Sequence, residues 1–151
     1  MKSSRENEQS FGKKLNVFVD ANTIISGVAF EGNEALLLKL GSGGACRLVS
    51  TRYVIDEVAR ALQAREFDLT EDETTSILSV IYRSVVVYEN VKRGALSKYL
   101  ARLDDKRNAH VWAAFEKLKC DILVTGDKEL LRKVPKAKTT KQALQMLLRI
   151  G

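Results

Sequence analysis

LNVFVD, residues Leu15–Asp20, joins a continuous β-favouring run to a carboxylate. A strand with one wet face alternates apolar and polar residues, whereas a strand covered on both faces of a parallel sheet reads as an unbroken run. The same kind of run recurs as CRLVS (Cys46–Ser50), SVVVYE (Ser84–Glu89) and DILVT (Asp121–Thr125), with a weak edge strand expected at Lys136–Thr139 after Pro135. Helical patterns separate them. Ala21–Phe30 and Asn33–Leu40 read as short helices, the second stopped by Gly41, Gly43 and Gly44. Thr51 can cap a helix through about Phe67, with Val54, Val58, Ala61 and Leu62 as its apolar stripe. Thr70 and Glu73 have capping-box spacing and open a helix to about Arg83. Arg93–Leu103, Asn108–Lys119, Asp127–Val134 and Thr140–Ile150 complete the set, Val111, Trp112, Phe115 and Leu118 forming the inward face of the second. Strand followed by helix, repeated, predicts a three-layer α/β/α domain around a four- or five-stranded parallel sheet.

The chain has 151 residues, 45% hydrophobic and 29% charged. That length suits one domain, expected over residues 15–151 behind a flexible tail at 1–14, and the composition excludes a mostly disordered chain. No stretch approaches the roughly 18 apolar residues that span a bilayer, and the polar N-terminus lacks the apolar centre of a signal peptide. A soluble, cytoplasmic protein with no membrane partner is expected. Cys46 and Cys120 sit beside apolar runs without a C-x-x-C motif, and both read as buried free thiols. From Lys128 onward seven basic residues face Glu129 alone, so this segment carries the whole net charge of +6. Such a segment suits a polyanion, and Lys128, Arg132, Lys133, Lys136 and Lys138 are the candidate RNA contacts; a merely solvated basic surface is the plainer alternative.

In open parallel sheets, ligands bind outside the carboxyl ends of the strands. Asp20 follows the first run directly and Asp127 follows the fourth across Gly126, so both fall on that edge, where either could equally cap a helix. Glu57 lies between Val54 and Ala61 at the border of the apolar stripe, facing the same edge, with a salt-bridged border residue as the alternative. Asn108 sits on the inward side at the start of its helix, where it reads as an N-cap that Asp could replace at little cost. Asp104 and Asp105 precede it in a loop. His110 is two residues from Asn108, turned away from the stripe, and Trp112 belongs to the core.

Taken in order, VFVDANTIISG (Val17–Gly27), YVIDEVARAL (Tyr53–Leu62), DKRNAHVWAAF (Asp105–Phe115) and DILVTGDKELL (Asp121–Leu131) resemble the PIN-domain nucleases, particularly their toxin-like, VapC-related branch. The resemblance implies a metal-dependent endoribonuclease acting on single-stranded RNA. It makes Asp20, Glu57, Asn108 and Asp127 the catalytic set, with Asp20, Asn108 and Asp127 on Mg²⁺ or Mn²⁺, and Asn22 and Thr125 in support. It also implies an antitoxin partner and a homodimer. The chemistry needs such a cluster, because displacement at a phosphodiester adds negative charge that a divalent cation neutralises while activating water. The departure is Asn108, where the family pattern has Asp. Either metal affinity is reduced, or Asp105 compensates, or the substitution inactivates the site. Two other readings stand beside this one: a cleft that binds RNA or a protein without cutting, and a haloacid-dehalogenase-like phosphatase with Asp20 as nucleophile. The second lacks an acid at Asn22 and a later lysine motif.

Overall fold

The computed structural model describes residues 14–64 and 66–150, so the expected tail lies outside them save for Lys14. Five parallel strands form one sheet in the order β3-β2-β1-β4-β5: β1 Asn16–Val19, β2 Arg47–Thr51, β3 Val85–Tyr88, β4 Ile122–Val124 and β5 Ala137–Lys138. The central strand is the driest. Val17, Phe18 and Val19 are fully buried, as the unbroken run requires.

Among the described residues the helices are α1 Ala21–Ala29, α2 Asn33–Ser42, α3 Arg52–Leu62, α4 Glu71–Ser84, α5 Ser97–Leu100, α6 Lys106–Lys117, α7 Lys128–Lys133 and α8 Thr140–Ile150. The connections β1 to β2 and β2 to β3 step one way across the sheet, while β3 returns past β1 to reach β4 and then β5. Because parallel crossovers are right-handed, α1–α4 cover one face and α5–α7 the other. α8 packs against α2 and so shares the first face. The result is the three-layer α/β/α architecture. The direction of stepping reverses between β1 and β4, and the carboxyl ends of those two strands define the crevice where such folds bind ligands.

The ends of several helices depart from the sequence expectation for local reasons. The helix expected over Arg93–Leu103 is instead a 3₁₀ turn at Arg93–Ala95 and the single turn α5, since Gly94 weakens the helix and only Leu96, Tyr99 and Leu103 are buried along it. α3 ends at Leu62, where its apolar stripe ends and Gln63 and Ala64 turn to solvent. α6 begins two residues earlier than expected because its N-cap is Asp105, whose side chain accepts from the Arg107 backbone N–H at 2.9 Å; Asn108 is therefore inside the helix and not its cap. The capping box at Thr70 and Glu73 is present in full. Cys46 and Cys120 are buried free thiols, and Trp112 is core, packed edge-on against Tyr99. No helix among the described residues is long and apolar enough to cross a membrane.

α2 meets the sheet through Gly41. A Cβ added there would lie 2.4 Å from Leu48 Cδ1 and 2.6 Å from its Cγ, and Leu48 is buried in β2 with nowhere to move. Gly41→Ala is expected to lower stability in urea denaturation by up to about 2 kcal/mol, because overpacking costs about 1–3 kcal/mol against the ~1 kcal/mol helix preference for Ala over Gly. An unchanged or raised midpoint would mean that α2 does not rest on β2 at this distance.

Candidate active site

The register pairs Val19 with Val124, so the next residue of each strand, Asp20 and Thr125, meet across the carboxyl ends of β1 and β4. Both are buried. The Thr125 hydroxyl donates to Asp20 Oδ2 at 2.5 Å and accepts from the Asp127 backbone N–H at 3.0 Å. One side chain thus joins the two acids that follow the strands. Each acid also caps the helix it opens. Asp20 Oδ1 accepts from Thr23 N at 3.0 Å for α1, and Asp127 Oδ1 accepts from Leu130 N at 3.0 Å for α7. The capping alternative weighed from sequence is realised for both acids, and the caps fix where the carboxylates stand. Burial raises the Asp20 carboxyl above the ordinary carboxylate range; the hydrogen bonds from Thr125 and Thr23 pull it partly back, and the charge of Asp127 raises it further.

Glu57 lies half-buried on α3 between Val54 and Val58. Burial raises its carboxyl, Arg107 and Arg60 oppose, and the charges of Asp20 and Asp105 add to the rise. Asn22, by contrast, is exposed in the first turn of α1.

Asn108 is buried, and its amide donates to Glu129 Oε1 at 3.3 Å. Glu129 is the residue that sequence reasoning missed. Its carboxylate also accepts from the backbone N–H groups of Asp104 at 2.8 Å and Asp105 at 3.4 Å and pairs with Lys133 at 3.1 Å. These donors hold its carboxyl down at about 2, the Asp104 backbone contributing most. Its position in the first turn of α7, four before a lysine, offered only an ordinary i,i+4 pair; its chief partners are backbone groups more than twenty residues away. Asp105 is engaged in turn by the Arg107 guanidinium through Nε at 3.2 Å and Nη2 at 3.0 Å, which lowers its carboxyl.

The basic segment does not stay together. Lys128 and Arg132 are exposed on α7, and Lys138 lies in β5 beside Thr125, whose N–H donates to its carbonyl. Lys133 is spent internally on Glu129 and the Arg102 carbonyl. Lys136 borders a hollow with Cys120, Asp121 and Pro135 at the amino ends of the strands, on the opposite edge of the sheet.

Asp20 and Asp127 offer the oxygen donors that hard divalent cations prefer. Among the described residues no three His, Cys, Asp or Glu side chains are grouped to hold a metal ion. Mg²⁺ commonly takes one or two carboxylates and keeps several waters, so this pair fits a largely hydrated cation and not a closed zinc-type site.

The model of the PIN domain family matches residues 16–129, which span β1 to the start of α7 and every acid described above. The chain belongs to the PIN domain family. As a PIN domain it is similar in structure to PAE2754 from Pyrobaculum aerophilum, at 22% identity with a TM-score of 0.68 over 89% of this chain and 96% of that one. VapBC2 from Rickettsia felis, solved bound to a DNA fragment from its promoter, matches at 11% identity and a TM-score of 0.62 over 83% and 98%. VapC20 from Mycobacterium tuberculosis, a Sarcin-Ricin loop cleaving toxin, matches at 15% and 0.56 over 78% and 95%. No curated protein sequence matches the chain. At these identities the likeness in coordinates is one of fold, and that fold is the PIN domain's. The phosphatase alternative is set aside with it.

Two outcomes follow for Glu129 and Asn108. Glu129→Gln should melt below the parent at pH 7, because a carboxylate held below its ordinary 4.5 stabilises the fold wherever it is ionised in both states; the gap should close as pH falls from about 4.5 towards 2. Asn108→Asp should lose about 1–3 kcal/mol at pH 7, since it replaces a donor to Glu129 with a second buried carboxylate, contrary to the low cost expected of a simple cap exchange. Thermal melts from pH 2 to pH 8 read both, and pH-independent differences would remove Glu129 from the account.

Proposed function

We propose that this PIN domain is a Mg²⁺- or Mn²⁺-dependent endoribonuclease that hydrolyses phosphodiester bonds in single-stranded RNA. The observation that carries the reading is the Thr125 hydroxyl linking buried Asp20 to the Asp127 turn at the switch point of the sheet. Family membership supports a nuclease, and the fold shared with VapC20 and VapBC2 supports a toxin-type role with an antitoxin partner; a homodimer is part of the same proposal.

Asp20 and Asp127 would hold the cation, which supplies positive charge to the phosphate and acidity to bound water. Thr125 aims Asp20 by donating to it and partly opposes the rise that burial causes, and the caps to Thr23 and Leu130 keep both carboxylates from turning away. Glu57, raised by burial, is suited to take the proton of the attacking water. Asn108 would complete the oxygen shell with its amide carbonyl, its nitrogen being held by Glu129. Asp105 supports this edge as the cap of α6. Lys128, Arg132 and Lys138 are the basic residues placed to approach the RNA, and the protein would act in the cytoplasm.

A neutral Asn108 and the guanidinium of Arg107 beside the acids favour a second reading, a domain that binds RNA without cutting it. Melting with Mg²⁺ or Mn²⁺ and cleavage of single-stranded RNA decide. Metal should raise the Tm of the parent in proportion to the logarithm of its concentration, Asp20→Asn and Asp127→Asn should lose most of that rise, and cleavage should fall at least a hundredfold in both variants. Cleavage that persists in chelator, or undiminished in Asp127→Asn, would overturn the metal-dependent mechanism; RNA bound but left intact would establish the binding reading.

A further inference from the structure

Tyr53 stands in the first turn of α3 and His110 on α6, and their rings stack with centroids 3.8 Å apart and planes 7° from parallel. Both side chains are partly exposed. The Tyr53 end of α3 is fixed by its backbone N–H, which donates to Asn90 Oδ1 at 2.7 Å. His110 Nδ1 is buried and has no hydrogen-bond partner among the described residues. Glu57 follows Tyr53 by four residues and Arg107 precedes His110 by three, so each lies on the same helix face as its ring. The charges of Glu57, Arg107, Arg60 and Asp105 all act on the Tyr53 hydroxyl, which sets the stack beside the acidic edge.

Arg107 is exposed, and its guanidinium forks onto the Asp105 carboxylate two residues away on the same chain segment. A phosphate presents the same pair of oxygens to that fork, with more charge and without holding the side chain against its own helix. Flat rings beside an available guanidinium are the parts from which single-strand sites are built: bases stack on the aromatic faces and the backbone is held by the cation.

We infer that Tyr53, His110 and Arg107 form a subsite for one nucleotide of single-stranded RNA next to the bond that is cut, the base lying on the Tyr53–His110 stack and its phosphate on Arg107. The inference rests on the ribonuclease reading and adds a position to it. It adds a contact from α3 and α6 to those that Lys128, Arg132 and Lys138 offer, Lys133 being tied down and Lys136 facing the opposite edge.

The test is equilibrium binding of a fluorescently labelled ten-nucleotide single-stranded RNA to the full chain in chelator at low salt, with cleavage followed separately in Mn²⁺. Tyr53→Leu and Arg107→Gln should each weaken binding about tenfold and Tyr53→Phe less than twofold, in keeping with the usual worth of one base stack. Moving an abasic site along the RNA should reveal one position whose loss weakens the parent about tenfold and has no further effect in Tyr53→Leu, a pattern that a folding defect does not produce. If the parent binds and cleaves RNA while both variants match it, or if the abasic penalty persists in Tyr53→Leu, the subsite is overturned and the ribonuclease reading stands. If the parent neither binds nor cleaves RNA, both fall together.

Discussion

A single hydroxyl governs the geometry of the acidic edge. Thr125 donates to a buried carboxylate and accepts from the backbone of the acid two residues on, so Asp20 and Asp127 are tied together. That arrangement depends on the β1–β4 register, since a slip of one residue would turn Thr125 to the other face of the sheet. The register in turn depends on the dry interior of β1 and β4, where Val17, Phe18, Val19, Ile122, Leu123 and Val124 are all buried. Ser50 adds a lateral tie by donating to the Val19 carbonyl at 2.9 Å. A rigid apolar sheet thus delivers a pair of acids to one edge, and the cost of burying Asp20 is offset only in part by the hydrogen bonds from Thr125 and Thr23.

The second organising element is Glu129. It gathers two backbone N–H groups, an amide and an ammonium, and so fastens the loop before α6 to α7. Whatever Asn108 offers the site is set by this carboxylate. The helices on this face carry the other functional groups: α6 bears Arg107 and His110, and α7 opens on Asp127. Holding them together keeps the aromatic stack and the acids in one frame.

The strands were legible in the sequence because burial on both faces leaves an unbroken apolar run, which little else produces at that length. Asp20 and Asp127 were legible by following such runs, and Glu57 by its place beside Val54 and Val58. Asn108 was correctly read as inward, yet its role as a cap was misread: Asp105 takes the cap and starts the helix earlier. Glu129 and the Tyr53–His110 pair left no signal because their partners are backbone groups or rings on other elements, and pairwise spacing along the chain carries no trace of them. The placement of the individual basic residues was hidden for a similar reason. The segment reads as one block, but a helix and a return strand distribute its lysines between two edges and an internal ion pair.

The hydrogen bond between Thr125 and Asp20 spans 105 residues. During synthesis, β1 leaves the ribosome early and can pair only with β2 until β4 follows much later, so the nascent chain carries Asp20 for most of its growth without the partner that completes its surroundings. Closing so large a loop is among the slower events of folding. The acidic edge is therefore assembled late, since the two acids meet only when nearly the whole domain has been made.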